Sequence, residues 1–302
     1  MLKSFIFHLT LFVILPNQIS AILWDGLRVK FGVPSLRNET NSFIKMPTLV
    51  SHAVQDGMVN ISPECTNGGK YFGFRYKTRN VDGIYLLFDR NGIIAGIQVW
   101  MDKSDTTRAN NPFRYDLIPM FRDEIIGGKW YTVLTAYFVN PASICSTGRN
   151  ETSLHSQGTG TGLYFQNGAT PHPSNLVNVP TYRPDAAKEG YTNCECLEGM
   201  GLHNFWQVEK WQDSNCREVQ PIQLLYNLDG AMVGFVFQIF AKLSHRMFEF
   251  PPTQGLKVIL GPDRTPNCIL EVNEKFGTTA LHVYFIDNPW ELKCPVPVVV
   301  KE

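Results

Sequence analysis

The chain has 302 residues, with 27 basic and 27 acidic side chains, and 44% of its residues are hydrophobic. This charge balance argues against nucleic acid as a partner, and against a membrane surface that holds the protein by electrostatics, because both attract basic proteins. The apolar content is enough for one large core or two ordinary ones.

The first 21 residues predict a secretory signal peptide. Lys3 precedes an apolar run from Phe5 to Leu15, and the small residue Ala21 stands at a suitable cleavage point. The run is too short to span a bilayer, which requires about 20 apolar residues. We therefore expect a secreted, extracellular protein without an integral membrane span, whose mature chain begins near Ile22.

Three sequons agree with a secretory route and predict N-glycosylation at Asn38, Asn60 and Asn150. Each would carry a bulky sugar on an exposed loop. A single sequon often arises by chance, so the three sites together with the signal peptide are the stronger indication.

Two apolar stretches resemble each other and predict two β-hairpins. Residues 84–100 read IYLLFDRNGIIAGIQVW, and residues 222–238 read IQLLYNLDGAMVGFVFQ. Asn-Gly and Asp-Gly favour a tight type I′ turn, and the flanks are rich in β-branched and aromatic residues. Gly96 and Gly234 each follow the turn glycine by four residues, which indicates a bulge or a close backbone approach.

The surroundings of the two hairpins correspond as well. Cys65 precedes GGKYFGFRY and Cys196 precedes GMGLHNFWQV, while VLTAYFVNPASIC ends at Cys145 and ALHVYFIDNPWELKC ends at Cys294. The same features in the same order indicate an internal duplication. The sequence therefore predicts a mainly β or α+β fold in which two internally duplicated antiparallel β units pack together and are stabilised by disulfides.

This duplication divides the mature chain into four parts. An N-terminal leader (22–63) precedes the first unit (64–145), and a connector (146–194) leads to the second unit (195–302), with both units in one globular body. The connector is rich in Pro, Asn and Ser, so we expect it to be loop-rich and to be the best location for a binding surface. Helix signals are few, at residues 241–248 and within the segment FIKMPTLVSHAVQDG.

The seven cysteines predict a disulfide framework with one cysteine left over. Because Cys65 corresponds to Cys196 and Cys145 to Cys294, the repeat predicts the bridges Cys65–Cys145 and Cys196–Cys294. Each bridge would join the beginning of a unit to its end.

The other three cysteines have no counterpart in the first unit. Cys216 and Cys268 fall in the two intervals that are longer in the second unit, and we expect them to form a third bridge. Cys194 would then be unpaired or intermolecular. A rival scheme, Cys196–Cys216 with Cys268–Cys294, closes shorter loops and stays open at this point.

The sequence contains no H-E-x-x-H, G-x-S-x-G or C-x-x-C motif, so we predict no catalytic residue, no metal site and no cofactor. His203 and His282 lie in strand-like segments and could meet as metal ligands or as a base, although hydrogen-bonded core histidines are commoner. The run GTGTGLYFQNG at 158–168 could hold a phosphate or act on membranes, but a loop before a short strand is the simpler interpretation. The tryptophans could stack on sugars, although burial in the core is the more usual role.

The leading hypothesis is a secreted, non-enzymatic binding protein that recognises an extracellular protein, a glycan or a small apolar ligand, with a groove between the units as a further location. One alternative is a secreted effector of the toxin or membrane-active kind. Another is a secreted hydrolase with its site around His203 and His282. The sequence leaves the ligand, the oligomeric state and any catalysis open.

Overall fold

The computed structural model describes residues 24–30, 42–65, 69–79, 83–107, 111–208, 211, 219–243 and 247–295, without the side chains of residues 193 and 194. The predicted signal peptide, the sequon at Asn38, Cys216 and the side chain of Cys194 therefore lie outside the described residues. No helix in these ranges is both long and apolar enough to cross a membrane.

The described residues form short strands and helices. In chain order, these are β1 (Arg28–Lys30), β2 (Phe43–Lys45), α1 (Val50–Gln55), β3 (Met58–Asn60), β4 (Phe74–Thr78), β5 (Ile84–Phe88), β6 (Ile94–Asp102), α2 (Lys103–Thr106), β7 (Arg122–Ile126), β8 (Lys129–Tyr137), α3 (Pro141–Ile144), α4 (Glu151–Gln157), β9 (Leu163–Gln166), β10 (Leu176–Val179), α5 (Arg183–Lys188), β11 (Tyr191–Leu197), β12 (Gly201–Trp206), β13 (Ile222–Tyr226), β14 (Met232–Ile239), α6 (Thr253–Leu260), α7 (Asn267–Phe276) and β15 (Thr279–Tyr284). Single 3₁₀ turns occur at Tyr115–Leu117, Pro173–Asn175 and Pro289–Glu291.

Two antiparallel sheets carry the fold, and their strands follow the same order. The first sheet runs β3-β4-β5-β6-β8-β9-β10, with β7 as an additional strand beside β8. The second sheet runs β11-β12-β13-β14-β15-β1-β2. The predicted fold class is therefore confirmed: the protein is mainly β and consists of two corresponding antiparallel units.

The two hairpins correspond in register as well as in sequence. Gly96 lies opposite Leu87 in the first and Gly234 lies opposite Leu225 in the second, and the register shifts at the next residue of both pairs. A Cβ atom on Gly96 would lie 2.4 Å from the carbonyl oxygen of Ala136, and one on Gly234 would lie 2.2 Å from that of Val283. The predicted close backbone approach thus occurs twice, and it requires glycine at both positions.

The prediction of a type I′ turn is wrong for both hairpins, because that turn needs positive φ at both of its central residues. Among the described residues, Gln207 is the one non-glycine residue with positive φ, so Asn91 has negative φ. The turn spans Asp89 to Gly92, and Gly92 then adopts φ +79°. The Asp89 carboxylate accepts hydrogen bonds from the backbone N–H groups of Asn91 and Ile93, which stabilises a three-residue loop ending in a left-handed glycine.

The leader contributes strands to both sheets. Its first strands, β1 and β2, complete the second sheet, where Arg28 lies opposite Tyr284. Its last strand, β3, forms the edge of the first sheet, where Asn60 lies opposite Tyr76. In the first sheet, the positions matching β1 and β2 are filled by β9 and β10, which belong to the connector.

The connector is more regular than its composition predicts. It contains α4, β9, β10 and α5, and β11 begins before its end. Asn150 caps α4 by accepting a hydrogen bond from the backbone N–H of Ser153, and Leu163 and Phe165 of β9 are buried in the core. Local capping and apolar side chains therefore outweigh the Pro- and Ser-rich composition.

Helix α1 lies within the segment 43–57, where a short helix is expected. Residues 241–243 and 247–248 are not helical, so the helix expected at 241–248 is not found in the described part of that segment. Helices α6 and α7 follow instead. Ile269 and Val272 of α7 are buried, and Gly277 ends the helix with φ +78°.

The inner faces of the sheets pack against each other in one core. Phe165 of the first sheet contacts Phe235 of the second with ring centroids 5.3 Å apart, and Trp24 stacks on Phe285 at 4.1 Å. The Gly/Thr run lies at this junction, because Thr159 donates its backbone N–H to the carbonyl of Trp24 at 2.7 Å. A Cβ atom on Gly160 would lie 2.0 Å from the Phe138 carbonyl oxygen, so the close approach accounts for glycine there.

Two disulfides close the two units at equivalent points. Cys65 pairs with Cys145, and Cys196 pairs with Cys294, as the repeat predicts. These pairs exclude the rival scheme that joins Cys294 to Cys268. Cys268 is also disulfide-bonded, and its partner lies outside the described side chains.

Candidate functional site

The two histidines singled out by the sequence meet on the outer face of the second sheet. His203 Nε2 lies 3.5 Å from His282 Nε2. His282 Nδ1 lies 2.8 Å from Glu249 Oε1. The Lys30 ammonium group donates to Glu249 Oε2 at 2.7 Å, which completes a row of four polar side chains.

The two histidines and Lys30 are closed to solvent, and burial has the largest effect on the pKa of His203 and of Lys30. His203 is 0% exposed and His282 is 3% exposed. Burial, together with the neighbouring His282, lowers the pKa of His203 to about 3, so its imidazole is neutral at physiological pH. Burial opposes ionisation of Glu249, but His282 and Lys30 outweigh it and hold the pKa of that carboxyl group below its ordinary value. Burial also lowers the pKa of Lys30, against the opposing effect of Glu249.

The first sheet has a buried polar cluster at the matching positions. Arg75 corresponds to His203, because each lies opposite the matching leucine of its hairpin. The Arg75 guanidinium forms two hydrogen bonds with the Glu124 carboxylate, at 2.9 and 3.1 Å. Both outer faces therefore hold buried polar side chains at equivalent positions, and each face contains one buried ion pair, which favours a structural role for the histidine pair.

In the first sheet, three further buried side chains fix a short wall formed by residues 69–72, those of Arg122, Tyr137 and Gln166. Arg122 Nη1 and Gln166 Nε2 each donate to the carbonyl oxygen of Lys70 at 2.9 Å. The Tyr137 hydroxyl accepts from the backbone N–H of Phe72 at 3.1 Å and donates to Gln166 Oε1 at 3.0 Å. Buried hydrogen bonds of this kind hold a loop in one position.

A cleft of about 540 Å³ lies against this wall, on the outer face of the first sheet. It is bounded by β9, β10, α3 and the loop before β10, so the connector supplies most of it. Its lining residues are Gly69, Phe72, Asn140, Ala142, Tyr164, Thr170, Pro171, His172, Pro173, Leu176 and Asn178. Besides the imidazole of His172, the lining contains two aromatic rings, two prolines and one leucine, and its described members include no Lys, Arg, Asp or Glu.

The disulfide of the first unit holds α3 at the rim of the cleft. Cys145 follows α3 directly, is bonded to Cys65 and accepts a hydrogen bond on its Sγ from the backbone N–H of Gly73 at 3.2 Å. Asn140 caps the same helix by accepting from the backbone N–H of Ala142 at 3.1 Å. The cleft is thus bounded by elements with fixed positions.

The equivalent place in the second unit is filled by a tryptophan. Ala142 and Trp290 each follow an Asn-Pro pair after the matching strands β8 and β15. The Trp290 ring lies 5.7 Å from that of Phe43, and the Arg28 guanidinium lies 5.1 Å above the indole. The cleft therefore opens in the unit where alanine replaces this side chain.

The sequence predicted the connector as a location for binding, but not the cleft itself. The usable signal was the difference between VNPASIC and DNPWELKC at the end of the two units. That difference has a meaning only when β9 and β10 are known to lie next to α3. The other tryptophans differ in setting: Trp100 stacks on Tyr85 at 3.4 Å, whereas Trp130 is 53% exposed.

The two sequons within the described residues have exposed asparagines. Asn60 lies at the end of β3 and accepts a hydrogen bond from the backbone N–H of Ser62. Asn150 is the N-cap of α4. Within the described ranges, no three His, Cys, Asp or Glu side chains come together to hold a metal ion.

No family model, no curated protein and no solved structure matches this chain.

Proposed function

We propose that this protein is a secreted binding protein that holds a small apolar ligand in the cleft of its first unit. The volume of this cleft, about 540 Å³, lies within the range of roughly 300–1,000 Å³ that is usual for small-molecule sites. The signal-like N-terminus, the sequons and the disulfides are compatible with an extracellular location.

One observation carries the proposal: the cleft is open in one unit and filled by Trp290 in the other. Both sheets share the same order of seven strands, and both units have an equivalent disulfide and a buried polar cluster, so the difference is local. An exposed alanine at the rim leaves the apolar surfaces of Phe72, Tyr164 and Leu176 available to a ligand. Burial of apolar surface then supplies the binding free energy, at about 25 cal/mol per Å² before the costs of association.

The test is a titration with N-phenyl-1-naphthylamine, a neutral apolar probe whose fluorescence rises in an apolar site. We expect saturable binding with one site per chain. Ala142→Trp should abolish that binding, because it places in the first unit the side chain that fills the second. Ala142→Ser, which keeps the cleft open, is the matched control and should bind as the wild type does.

Near-ultraviolet circular dichroism of all three proteins checks that they are folded. Undiminished, saturable probe binding to folded Ala142→Trp would overturn the proposal. So would a wild-type protein that does not bind the probe.

A further inference from the structure

We infer that the ligand carries a neutral aromatic ring, and this inference rests on the binding function proposed above. The second unit provides an internal template, since its own indole group occupies the equivalent place. What surrounds that indole, and what replaces those surroundings in the first unit, indicates the chemistry of the ligand.

The strand registers give the correspondence between the two sites. Arg28 lies opposite Tyr284 in the second sheet, and Tyr164 lies opposite the matching Tyr137 in the first. Lys30 and Gln166, two residues further along, correspond in the same way. Their partners on the next strand are Phe43 and Leu176, so Phe43 is matched by Leu176. The apolar contact to the ring is retained at this second position.

The position of Arg28 is where the two sites differ most. In the second unit, its guanidinium lies over the Trp290 ring and also bonds to Asp287 Oδ1 at 2.8 Å. In the first unit, the matching residue is Tyr164, so an aromatic ring lies where the second unit has this cation. A stacked or edge-to-face pair of rings favours an aromatic guest over an aliphatic one of equal size.

The same comparison argues against an ionic ligand. Lys45 Nζ lies 3.4 Å from Asp287 Oδ1 beside the filled site. The matching residue at the open cleft is Asn178, an exposed amide that can donate and accept hydrogen bonds. Apart from His172, the described lining offers no ionisable group that could act as a ready counter-charge, because it has no Lys, Arg, Asp or Glu. An ionised ligand would therefore lose its hydration for little gain, whereas a neutral ring with a hydroxyl or amide substituent would fit both the wall and the rim.

The test compares benzyl alcohol with cyclohexylmethanol, which are neutral alcohols of similar size that differ in aromaticity. Each is used to displace N-phenyl-1-naphthylamine from the wild-type protein. We expect benzyl alcohol to displace the probe with a dissociation constant about 2-fold to 10-fold lower, the range expected of an aromatic pair beyond area burial. Tyr164→Leu should bring this ratio close to one, while Tyr182→Leu, which changes a tyrosine outside the cleft, should leave it unchanged.

The possible results separate this inference from the proposed function. If both alcohols compete equally in the wild type, or if neither competes, the aromatic preference is refuted while probe binding blocked by Ala142→Trp still supports a binding cleft. A preference for benzyl alcohol that persists in Tyr164→Leu also refutes the stacking role. If Ala142→Trp does not block the probe, the cleft function itself fails.

Discussion

The buried imidazole of His203 couples folding to pH. Its pKa is about 3 in the folded protein, against about 6.5 in an unfolded chain. As the pH falls below 6.5, the unfolded state binds a proton that the folded state does not bind. Stability is therefore lost between about pH 6.5 and pH 3, at up to about 1.4 kcal/mol per pH unit.

Replacing this residue should make stability less dependent on pH. Between pH 7 and pH 5, above the range where Glu249 titrates, we expect His203→Gln to lose about 2 kcal/mol less than the wild type loses. Urea unfolding at pH 7, 6 and 5 measures this difference. The variant should be less stable at pH 7, so the slope is the informative quantity. Equal slopes for His203→Gln and the wild type would show that this histidine is not the group responsible.

The hydroxyl group of Tyr137 connects the buried cluster to the cleft wall. Tyr137→Phe would leave the Phe72 N–H and the side-chain oxygen Oε1 of Gln166 without this partner, at a cost of about 1–3 kcal/mol in the free energy of unfolding. A looser Phe72 should also weaken binding of N-phenyl-1-naphthylamine, by about 2-fold to 10-fold. Urea unfolding and probe titration of the same preparation measure both effects.

The repeat provides the control for this variant. Tyr284 occupies the matching position in the second unit, where its hydroxyl donates to the Met200 carbonyl at 3.4 Å. Tyr284→Phe should lower stability without changing the affinity for the probe. If the two variants weaken binding equally, Tyr137 has no specific effect on the cleft wall.

At the scale of single elements, the 3₁₀ turn at Pro289–Glu291 decides whether the second unit has a cleft. Trp290→Ala removes the side chain that packs on Phe43 and should cost about 2 kcal/mol, less than a fully buried tryptophan would. It should also open a second site, so calorimetric titration with the neutral probe should give two sites per chain instead of one. Trp130→Ala, at a 53% exposed tryptophan, should keep one site. A folded Trp290→Ala protein with a single site would mean that the second unit cannot form a cleft.

The features that the sequence predicted well are those with a local signal or with a counterpart in the repeat. The hairpins follow from β-branched flanks around a turn glycine, and the two disulfides follow from matching cysteines at the ends of the repeats. Helix α6 was missed because it contains Gly255 and lacks a side-chain N-cap. Helix α7 does show helical spacing at Ile269, Val272 and Phe276, and that signal was overlooked.

The candidate site could not be predicted in the same way, since it depends on distant pairings. Lys30 contacts Glu249 only because β1 joins the far end of the chain, and the cleft exists only because β9 and β10 lie next to α3. Burial of His203 and His282 in the core was the commoner case expected from their strand-like segments, but their contact with Glu249 could not be foreseen. Composition also suggested a loop for the connector, whereas capping and apolar burial make it part of the first sheet.

At the scale of the whole molecule, the two sheets differ in how their last two strands are supplied. In the first sheet, β9 and β10 follow β8 along the chain, while in the second sheet β1 and β2 come from the leader. The leader therefore packs onto the second unit, through the buried Lys30–Glu249 ion pair and the Trp24–Phe285 stack. The second unit would be incomplete without it.

A circular permutation tests whether both units share one strand plan. Residues 24–46 would be moved to the C-terminal side of Pro295 through a Gly/Ser linker of about 13 residues, and the chain would begin at Pro47. The permuted chain has its strands in the same sequence order as the first unit and keeps every β1 contact. We therefore expect native probe binding and a free energy of unfolding within about 2 kcal/mol of the wild type. Urea unfolding and near-ultraviolet circular dichroism provide the measurements.

The matched control is the permuted chain without residues 24–46, so that it begins at Pro47 and ends at Pro295. It leaves the buried Glu249 without Lys30, which alone costs about 3–5 kcal/mol, and it also exposes the edge of β15. We therefore expect the shortened chain to be unfolded or aggregated, and the permuted chain to be native. If the shortened chain keeps wild-type stability, the leader is dispensable and the second sheet does not need its last two strands. If instead the permuted chain fails to fold, β1 and β2 cannot be connected to β15 in the way that β9 and β10 are connected to β8.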